Sequence, residues 1–151
     1  MSEEIQQEYL FTGTYEHQLD DRGRMRMPAK MRLHLGEKFW LLRGWNNFLL
    51  VLPTAEIEKI KNKIKNVPIT NVAAGKALRI LLANAYEIEE DAQGRFVVPD
   101  RLKQYSNLSK DIVVTGVGKY CEIWDKSTYE KLQDIELTEE ELINELSKFD
   151  I

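Results

Sequence analysis

Residues 15–32 read Tyr-Glu-His-Gln-Leu-Asp-Asp-Arg-Gly-Arg-Met-Arg-Met-Pro-Ala-Lys-Met-Arg, and the pattern returns at residues 86–103. A shift of 71 positions pairs six identical residues in register: Tyr15 with Tyr86, Glu16 with Glu87, Asp20 with Asp91, Gly23 with Gly94, Arg24 with Arg95 and Pro28 with Pro99. Apolar positions are preserved too, because Met25, Met27 and Met31 correspond to Phe96, Val98 and Leu102. The chain is therefore predicted to be a tandem duplication, and an internal repeat outranks other patterns in deciding an architecture.

Each copy begins with a pattern typical of a strand, a tight turn, a second strand and a short helix. Residues 9–19 alternate loosely and are rich in types that favour strands. Asp20 and Gly23 are turn residues, since the carboxylate can accept hydrogen bonds from turn amides and glycine adopts positive φ. The alternation in Arg24-Met25-Arg26-Met27 directs both arginines to one face and both methionines to the core. Pro28 predicts the first turn of a short helix.

A second hairpin is predicted in each copy. Residues 39–42 and 48–52 are apolar runs separated by turn residues. Residues 111–116 and 120–124 match residues 39–44 and 48–52 at an offset of 72, through one inserted residue. Each copy is thus expected to contain four strands.

Longer helices are predicted outside the hairpins. Pro53 and Thr54 begin a helix in which three isoleucines recur at helical spacing, and Asp125 begins its counterpart. Residues 72–85 read as a helix that is apolar around most of its circumference, and we expect its burial both under the repeats and against another subunit. Thr138 and Glu141 form a capping box that begins an acidic helix. Its apolar residues are expected to pack on a neighbouring surface, or the helix frays: Leu142, Leu146 and Phe149.

These elements give an α+β fold, mostly β with short helices, organised in four segments. The first repeat with its helix occupies residues 9–66, and a connecting helix occupies residues 67–85. The second repeat follows at residues 86–133, and an acidic C-terminal helix or tail at residues 134–151. A chain of 151 residues suits two small halves that share one core.

Composition excludes several protein classes. The 43% hydrophobic and 30% charged residues are typical of a globular protein, and no stretch approaches the roughly 18 apolar residues of a membrane helix. The acidic start lacks the features of a secretory signal, which predicts a cytoplasmic protein. The single Cys121 cannot form an internal disulfide, and no Cys/His spacing suggests a metal site. We expect no cofactor.

The net charge of −4 conceals a basic body. The first eight residues hold three acids, and residues 134–151 hold seven acids against one lysine, which leaves +5 for residues 9–133. Residues 22–35 contain five basic residues and no acid: Arg22, Arg24, Arg26, Lys30 and Arg32. A basic patch of this kind is the expected footprint of phosphate binding.

An enzymatic function is disfavoured by the same residues. Asp20 and Asp91 could be compared with paired carboxylates that share a proton, but each has an arginine beside it that lowers the carboxyl pKa. Cys121 has no histidine near it in sequence, and its apolar neighbours alternate along the chain, so we expect a small buried side chain. His17 and His34 are expected to be surface or packing residues. The chain is predicted not to be an enzyme.

The doubled Asp-x-x-x-Arg motif, at Asp20 to Arg24 and Asp91 to Arg95, resembles the MraZ family of bacterial transcriptional regulators. The resemblance covers roughly residues 9–133, including the glycine-containing second hairpins and the closing Ile123-Trp124-Asp125. It implies two AbrB-like swapped-hairpin half domains that form a barrel with a pseudo-twofold axis within the chain. It further implies a homo-oligomeric ring, and binding to double-stranded DNA at short repeats in the promoter of a cell division and cell wall gene cluster. A nucleoid-associated protein would follow.

Carried onto this sequence, the resemblance assigns DNA contact to the basic loops and loop-holding roles to the turn residues. The DNA-binding set is Arg22, Arg24, Arg26, Lys30, Arg32 and Arg95, and the loop-holding set is Asp20, Gly23, Asp91 and Gly94. The second copy departs from the pattern, because Glu90 precedes its motif where an apolar residue is more usual. Ala92 and Val97 also replace the charged Asp21 and Arg26. The second loop is therefore less basic, and we expect it to serve mainly to complete the fold.

Two alternatives remain open from the residues themselves. The Asp and Arg of each turn could simply pair with each other and hold the fold. The chain could also be a structural or protein-interaction module that uses the apolar connecting helix and the acidic tail without binding DNA. The affinity of a DNA binder for DNA should fall steeply with salt, whereas that of an apolar protein contact should not.

Overall fold

The computed structural model describes residues 9–133 and 137–151, so the acidic residues 1–8 and residues 134–136 lie outside the described chain. The described strands are β1 (Thr14–Gln18), β2 (Arg24–Met25), β3 (Lys38–Arg43), β4 (Leu49–Pro53), β5 (Ala85–Glu89), β6 (Phe96–Val97), β7 (Asp111–Gly116) and β8 (Cys121–Asp125). The described helices are α1 (Ala29–Leu35), α2 (Thr54–Lys65), α3 (Val72–Leu82), α4 (Asp100–Ser106), α5 (Lys126–Gln133) and α6 (Glu139–Ser147). The predicted α+β class is confirmed. None of the described helices is long and apolar enough to cross a membrane.

The strands of the two copies are interleaved. Six of them form one antiparallel sheet in the order β1-β7-β8-β4-β3-β5, and β2 pairs with β6 in a separate ribbon. β1 of the first copy pairs with β7 of the second, and β5 of the second copy pairs with β3 of the first. The counterparts in the two copies are β1 and β5, β3 and β7, and β4 and β8. Replacing each strand by its counterpart gives the same order, read from the opposite edge of the sheet. Among the described strands the sheet is open, with β1 and β5 at its edges, so the closed swapped-hairpin barrel stays a prediction.

Both faces of the sheet carry a core, because side chains alternate along each strand. On the first face, the ribbon and helices α1 and α4 pack over residues such as Leu41 and Val114. On the second face, Leu42 and Val113 belong to a smaller core that Leu81 of α3 and residues of α5 partly cover. Helix α2 contacts β3 and β4, and it lines a groove together with Leu42 of the second face. The ribbon and α2 therefore lie on opposite sides of the sheet.

The first strand is shorter than the alternation at residues 9–19 predicts. Only residues 14–18 form β1, and Phe11 continues the pairing through a single bridge to Gly118. The intervening Gly13 adopts a φ of 88°, which turns the chain out of the extended conformation. The short helix α1 follows Pro28 as predicted, and Gly36 ends it with a φ of 82°.

The predicted offset of 72 between the second hairpins is wrong by one residue for its first strand. Residues 38–43 of β3 correspond to residues 111–116 of β7, an offset of 73, because each occupies the same place against the first strand of the other copy. The offset of 72 holds for β4 and β8. Relative to the first copy, the second copy has two extra residues before β7 and one residue fewer in the turn between β7 and β8. Aligning short apolar runs with a single offset does not detect these two opposite changes.

The expectation that the connecting helix is buried under the repeats is wrong. Helix α3 contains no buried residue, and Val72 and Ile80 are 67% and 54% exposed. Leu81 is the α3 side chain that packs against the second core. An apolar pattern shows that a helix needs a covering surface, but it does not show that the same chain supplies that surface.

The acidic C-terminal helix forms as α6, and the Thr138 half of its predicted capping box is confirmed. The Thr138 hydroxyl accepts a hydrogen bond from the backbone N–H of Glu141 at 3.2 Å. No residue of α6 is buried. Leu142 and Leu146 therefore remain exposed, and the surface on which they pack stays a prediction.

Candidate nucleic-acid interface

The first tight turn is held by the carboxylate of Asp20. Its Oδ1 accepts hydrogen bonds from the backbone N–H groups of Arg22 and Arg24, both at 2.9 Å. Its Oδ2 accepts a third, from Nε of Arg24 at 2.7 Å. Gly23 adopts a φ of 72°, a conformation that glycine reaches without steric cost. The Asp20 carboxylate and the positive φ of Gly23 thus shape this turn, and the loop-holding role assigned to them stays a prediction.

The second turn repeats this geometry. Oδ1 of Asp91 accepts from the backbone N–H groups of Gln93 and Arg95 at 2.8 and 2.9 Å, and Oδ2 lies 3.3 Å from Nε of Arg95. Gly94 has a φ of 76°. The two turns are thus built from the same five-residue pattern, and the ion pair is longer in the second.

The hydrogen bonds of these turns keep both aspartates ionised. The backbone N–H of Arg24 is the main cause that lowers the pKa of Asp20, and the backbone N–H of Arg95 has the same effect on the pKa of Asp91. Each paired arginine reinforces the shift. A carboxylate held in this state is unsuited to donate a proton at neutral pH, which agrees with the non-enzymatic reading of the pair.

The fold-holding alternative for the Asp-x-x-x-Arg motif is thus visible in the structure, and it leaves donors available on each arginine. The bond from Nε uses one of the five N–H donors of a guanidinium. The side chains of Arg24 and Arg95 are 25% and 30% exposed. The same pairing orients each guanidinium at the surface, so a structural role and a ligand-binding role are compatible.

The β2–β6 ribbon brings arginines of both copies to one surface. Arg24 lies opposite Val97, and Met25 lies opposite Phe96. Because Met25 and Phe96 are buried, alternation places the flanking residues of both strands on the outer face. That face, which we call the ribbon face, consists of Arg24, Arg26, Arg95 and Val97. A hydrogen bond from the backbone N–H of Val98 to the carbonyl of Gly23, at 3.0 Å, joins the second copy to the first turn.

The ribbon face is asymmetric at one position. Arg26 is exposed, and its backbone carbonyl is bonded by Nδ1 of His17 at 2.9 Å. Its counterpart Val97 is 55% exposed and lies opposite Arg24. The sequence comparison of the two copies singled out this replacement, but only the pairing of the strands shows that it lies beside three arginines.

Each turn is covered by a basic residue from the other copy. The guanidinium of Arg32, in α1, lies so close to Gly94 that a side chain there would collide with it. Lys103, the counterpart of Arg32 in α4, lies over Gly23, with Nζ 3.2 Å from where a Cβ would be. Sequence reasoning did not include Lys103 among the site residues, although the shift of 71 maps Arg32 onto it. The two turns and their covering residues form one continuous cross-copy surface.

Glu90, which directly precedes Asp91, has a partner on this surface. Nε of Arg32 donates to its Oε2 at 2.8 Å, and the Glu90 side chain is only 9% exposed. The counterpart of Glu90 in the first copy is the buried Leu19, so Lys103 has no equivalent acid. Arg32 is thus engaged in an ion pair between copies, and its assignment to DNA contact stays a prediction.

The other predicted contacts lie at the edge of this surface. Arg22 in the first turn and Lys30 on α1 are both exposed. Arg101 occupies the position in α4 that Lys30 occupies in α1, and it is exposed as well. The second copy therefore contributes two basic residues, Arg101 and Lys103, that the comparison of the loops alone did not count.

The residues considered for catalysis are in packing environments. Cys121 is fully buried 3.6 Å from the sulfur of Met31, and burial raises the pKa of its thiol to about 12. The His34 ring stacks on Tyr9 with centroids 3.5 Å apart. Within residues 9–133 and 137–151, no cluster of three or more His, Cys, Asp or Glu side chains could hold a metal ion. The expected burial of Cys121 is confirmed.

Comparison with known protein families gives two consecutive matches to one family model. The model is that of the MraZ protein, described as antitoxin-like, and it matches residues 10–80 and residues 81–148. The boundary between the matches falls inside α3, so each match contains one Asp-x-x-x-Arg turn. The second match extends through α6, beyond the residues on which the sequence resemblance rested. The family is one of regulators rather than of enzymes.

Proposed function

Because the chain belongs to the MraZ family, we propose that it is a sequence-specific DNA-binding transcriptional regulator that uses the ribbon face as its contact surface. The observation that carries the proposal is the convergence of Arg24, Arg26 and Arg95, from two copies of one motif, on a single two-stranded ribbon. The target is double-stranded DNA at short promoter repeats, and nucleoid association in the cytoplasm follows from that binding.

A two-stranded ribbon is one of the two elements that the major groove of B-DNA admits. Arginine presents a planar fork that fits a phosphate or the O6 and N7 atoms of guanine. Asp20 and Asp91 hold the guanidinium groups of Arg24 and Arg95 in place before DNA binds, which reduces the conformational entropy lost on binding. Arg22, Lys30, Arg101 and Lys103 surround the ribbon at positions suited to phosphate contacts.

The exchange of strands between copies supports the AbrB-like swapped-hairpin description, which we include in the proposal. We also include a ring of identical subunits. One ribbon contacts few base pairs and should bind weakly alone, whereas several ribbons on one scaffold make later contacts intramolecular. Avidity can then exceed the single-site affinity by about 10² to 10⁴. Repeated DNA boxes are the target that such an array favours.

The direct test is a gel-shift titration on the DNA upstream of the protein's own gene, with random duplex as competitor. Arg26→Ala is the most informative variant, because among the described residues Arg26 has no ion pair and its loss leaves the Asp turns intact. Lys131→Ala, an exposed change on α5, is the matched control. Wild-type affinity should fall steeply with salt. Equal, salt-insensitive binding to both DNAs would contradict the proposal.

The exposed apolar surface of α3 favours a second candidate, a protein-interaction module without DNA binding. Val72 and Ile80 are the residues that such a partner would cover. The same titration separates the candidates, since an apolar protein contact depends little on salt. If a protein carrying both Val72→Ser and Ile80→Ser still binds the promoter, the apolar surface of α3 is not required for DNA binding.

A further inference from the structure

An apolar groove lies on the side of the sheet opposite the ribbon face. It is bounded by α2 and by the neighbouring strands β3 and β5, and its volume is about 370 Å³. Its apolar lining includes Trp40, Leu42, Ile57, Ile60, Ile64 and Ala85. Helix α2 has no buried residue, although its three isoleucines recur at helical spacing toward the groove. We call this feature the α2 groove.

The charges of α2 are ordered along the helix. Glu56 and Glu58 lie in its first half, and every charged residue from position 59 to position 65 is a lysine: Lys59, Lys61, Lys63 and Lys65. Glu58 pairs weakly with Lys61, at 3.9 Å, and Glu87 of β5 also lines the groove. The C-terminal half of α2 therefore presents net positive charge beside an apolar surface.

Helix α6 has the complementary pattern. Its first turn carries three acids, Glu139, Glu140 and Glu141, whereas Glu145 and Lys148 farther along pair with each other at 3.0 Å. Leu142, Leu146 and Phe149 recur at i, i+4 and i+7, and they are 48%, 39% and 74% exposed. An antiparallel placement on α2 sets the acidic first turn of α6 beside Lys63 and Lys65 at the end of α2. The apolar stripe then faces the isoleucines.

We propose that the α2 groove of one chain receives α6 from a second copy of the chain. The second copy is favoured because α6 has no buried residue on its own chain while its apolar stripe remains exposed. The contact uses different surfaces on the two partners, so it either closes as a reciprocal pair or continues head to tail into a ring. This inference rests on the proposed homo-oligomer and identifies the contact, which we call the joint, between its subunits.

The joint is compatible with DNA binding by the same assembly. Trp40 and Leu42, which line the groove, point to the second face of the sheet, while Met25 and Phe96 beneath the ribbon belong to the first core. An occupied groove therefore leaves the ribbon face accessible. Each subunit of the assembly would present its arginines on the side away from the joint.

Disulfide cross-linking between two separately tagged full-length chains tests the placement. One chain carries Ile60→Cys in the groove and the other carries Leu146→Cys in α6, and the native Cys121 is buried in both. We expect an oxidised hybrid of the two chains on a non-reducing gel. Leu33→Cys, on the exposed surface of α1, replaces Ile60→Cys as the control. A yield no higher than the control overturns the proposal.

The choice of a second copy is tested by one chain that carries both Ile60→Cys and Leu146→Cys. Cross-linked dimers and higher species should form, in a yield that rises with protein concentration. An intrachain disulfide with a yield independent of concentration would place α6 in the groove of its own chain and overturn the assignment.

Light scattering without DNA tests the energetic role of the joint. Leu142→Asp with Leu146→Asp should raise the dissociation constant of the assembly about tenfold or more, because charged groups would enter an apolar groove. Lys61→Glu with Lys65→Glu should also weaken assembly, and the further changes Glu139→Lys and Glu141→Lys should restore it. An oligomer that withstands all these changes overturns the joint alone. A monomeric wild type overturns both the joint and the proposed oligomer, whatever the DNA titration shows.

Discussion

Arg32 and Glu90, 58 positions apart in the chain, form an ion pair at 2.8 Å that joins the helix of one copy to the turn of the other. The arginine is 36% exposed and the glutamate 9% exposed, so most of the burial falls on the acid. The pair has no equivalent at the related position, where Lys103 and Leu19 occupy the corresponding sites. The contact between the two copies therefore includes an ion pair at the second turn but not at the first.

Arg32→Ala should lower the free energy of unfolding by about 1–2 kcal/mol, because Glu90 loses a charge-assisted hydrogen bond where water reaches it poorly. Lys103→Ala is the matched control, and its effect should be within about 0.5 kcal/mol. Urea denaturation followed by circular dichroism measures both. Equal losses for the two variants would show that the Arg32–Glu90 pair adds no stability.

Alanine at the two turn glycines should destabilise the protein unequally. Both glycines have φ above 70°, and a left-handed conformation costs a residue with a Cβ about 1–2 kcal/mol. Gly94→Ala should cost more than Gly23→Ala, because the new methyl group also displaces the Arg32 guanidinium, whereas Lys103 can swing away. Thermal melts of the two variants, with Gly75→Ala in the exposed α3 as the control, give the comparison. A larger loss at Gly23 would contradict it.

The lowered pKa values of Asp20 and Asp91 predict how stability depends on pH. Each carboxyl titrates below its usual pKa of 3.8 in the folded protein, so the unfolded chain binds protons first as the pH falls. The stabilisation is complete above about pH 5 and is lost as the pH falls through the folded pKa values. Asp20→Asn with Asp91→Asn should flatten the stability profile between about pH 5 and pH 2. Denaturant titrations across that range provide the measurement, and an unchanged slope in the variant would count against the mechanism.

The buried thiol of Cys121 should be inert in the folded protein. With a pKa of about 12, its thiolate fraction is about one part in 10⁴ at pH 8, and its sulfur packs on Met31. A colorimetric thiol reagent should therefore react at a rate limited by unfolding. Leu33→Cys adds an exposed thiol to the same chain, and we expect one fast and one slow reaction in that variant. Fast labelling of wild-type protein would show that the first core opens readily.

Exchanging the residues at the asymmetric position should change DNA affinity in opposite directions. Arg26→Val removes one cation from the ribbon face and should reduce the slope of log K against log salt by about 1. Val97→Arg should increase that slope by a similar amount, because it makes the ribbon face symmetric. Both positions are exposed, so folding should be unaffected. Salt titrations on promoter and random DNA test the pair together, and parallel slopes for both variants would exclude the ribbon face from DNA contact.

Much of the candidate site could be predicted because its turns are local structures. Asp20 bonds amides two and four positions along the chain, and Gly23 supplies the positive φ that the same turn requires. The cross-copy contacts could not be predicted in this way. Arg32 was assigned to DNA from its charge, and its position over Gly94 depends on how α1 is placed by the interleaved sheet.

The sequence by itself determined the duplication, the α+β class, the two Asp turns, the start of α1 at Pro28, the Thr138 cap of α6 and the burial of Cys121. These features follow from contacts a few residues long or from the periodicity of apolar side chains, which a chain records directly. Tertiary structure alone decided that β1 pairs with β7, that arginines of both copies share one ribbon and that α3 is exposed. Those outcomes depend on which of several compatible apolar surfaces meet. Periodicity specifies that a surface will be covered, and only the folded chain shows what covers it.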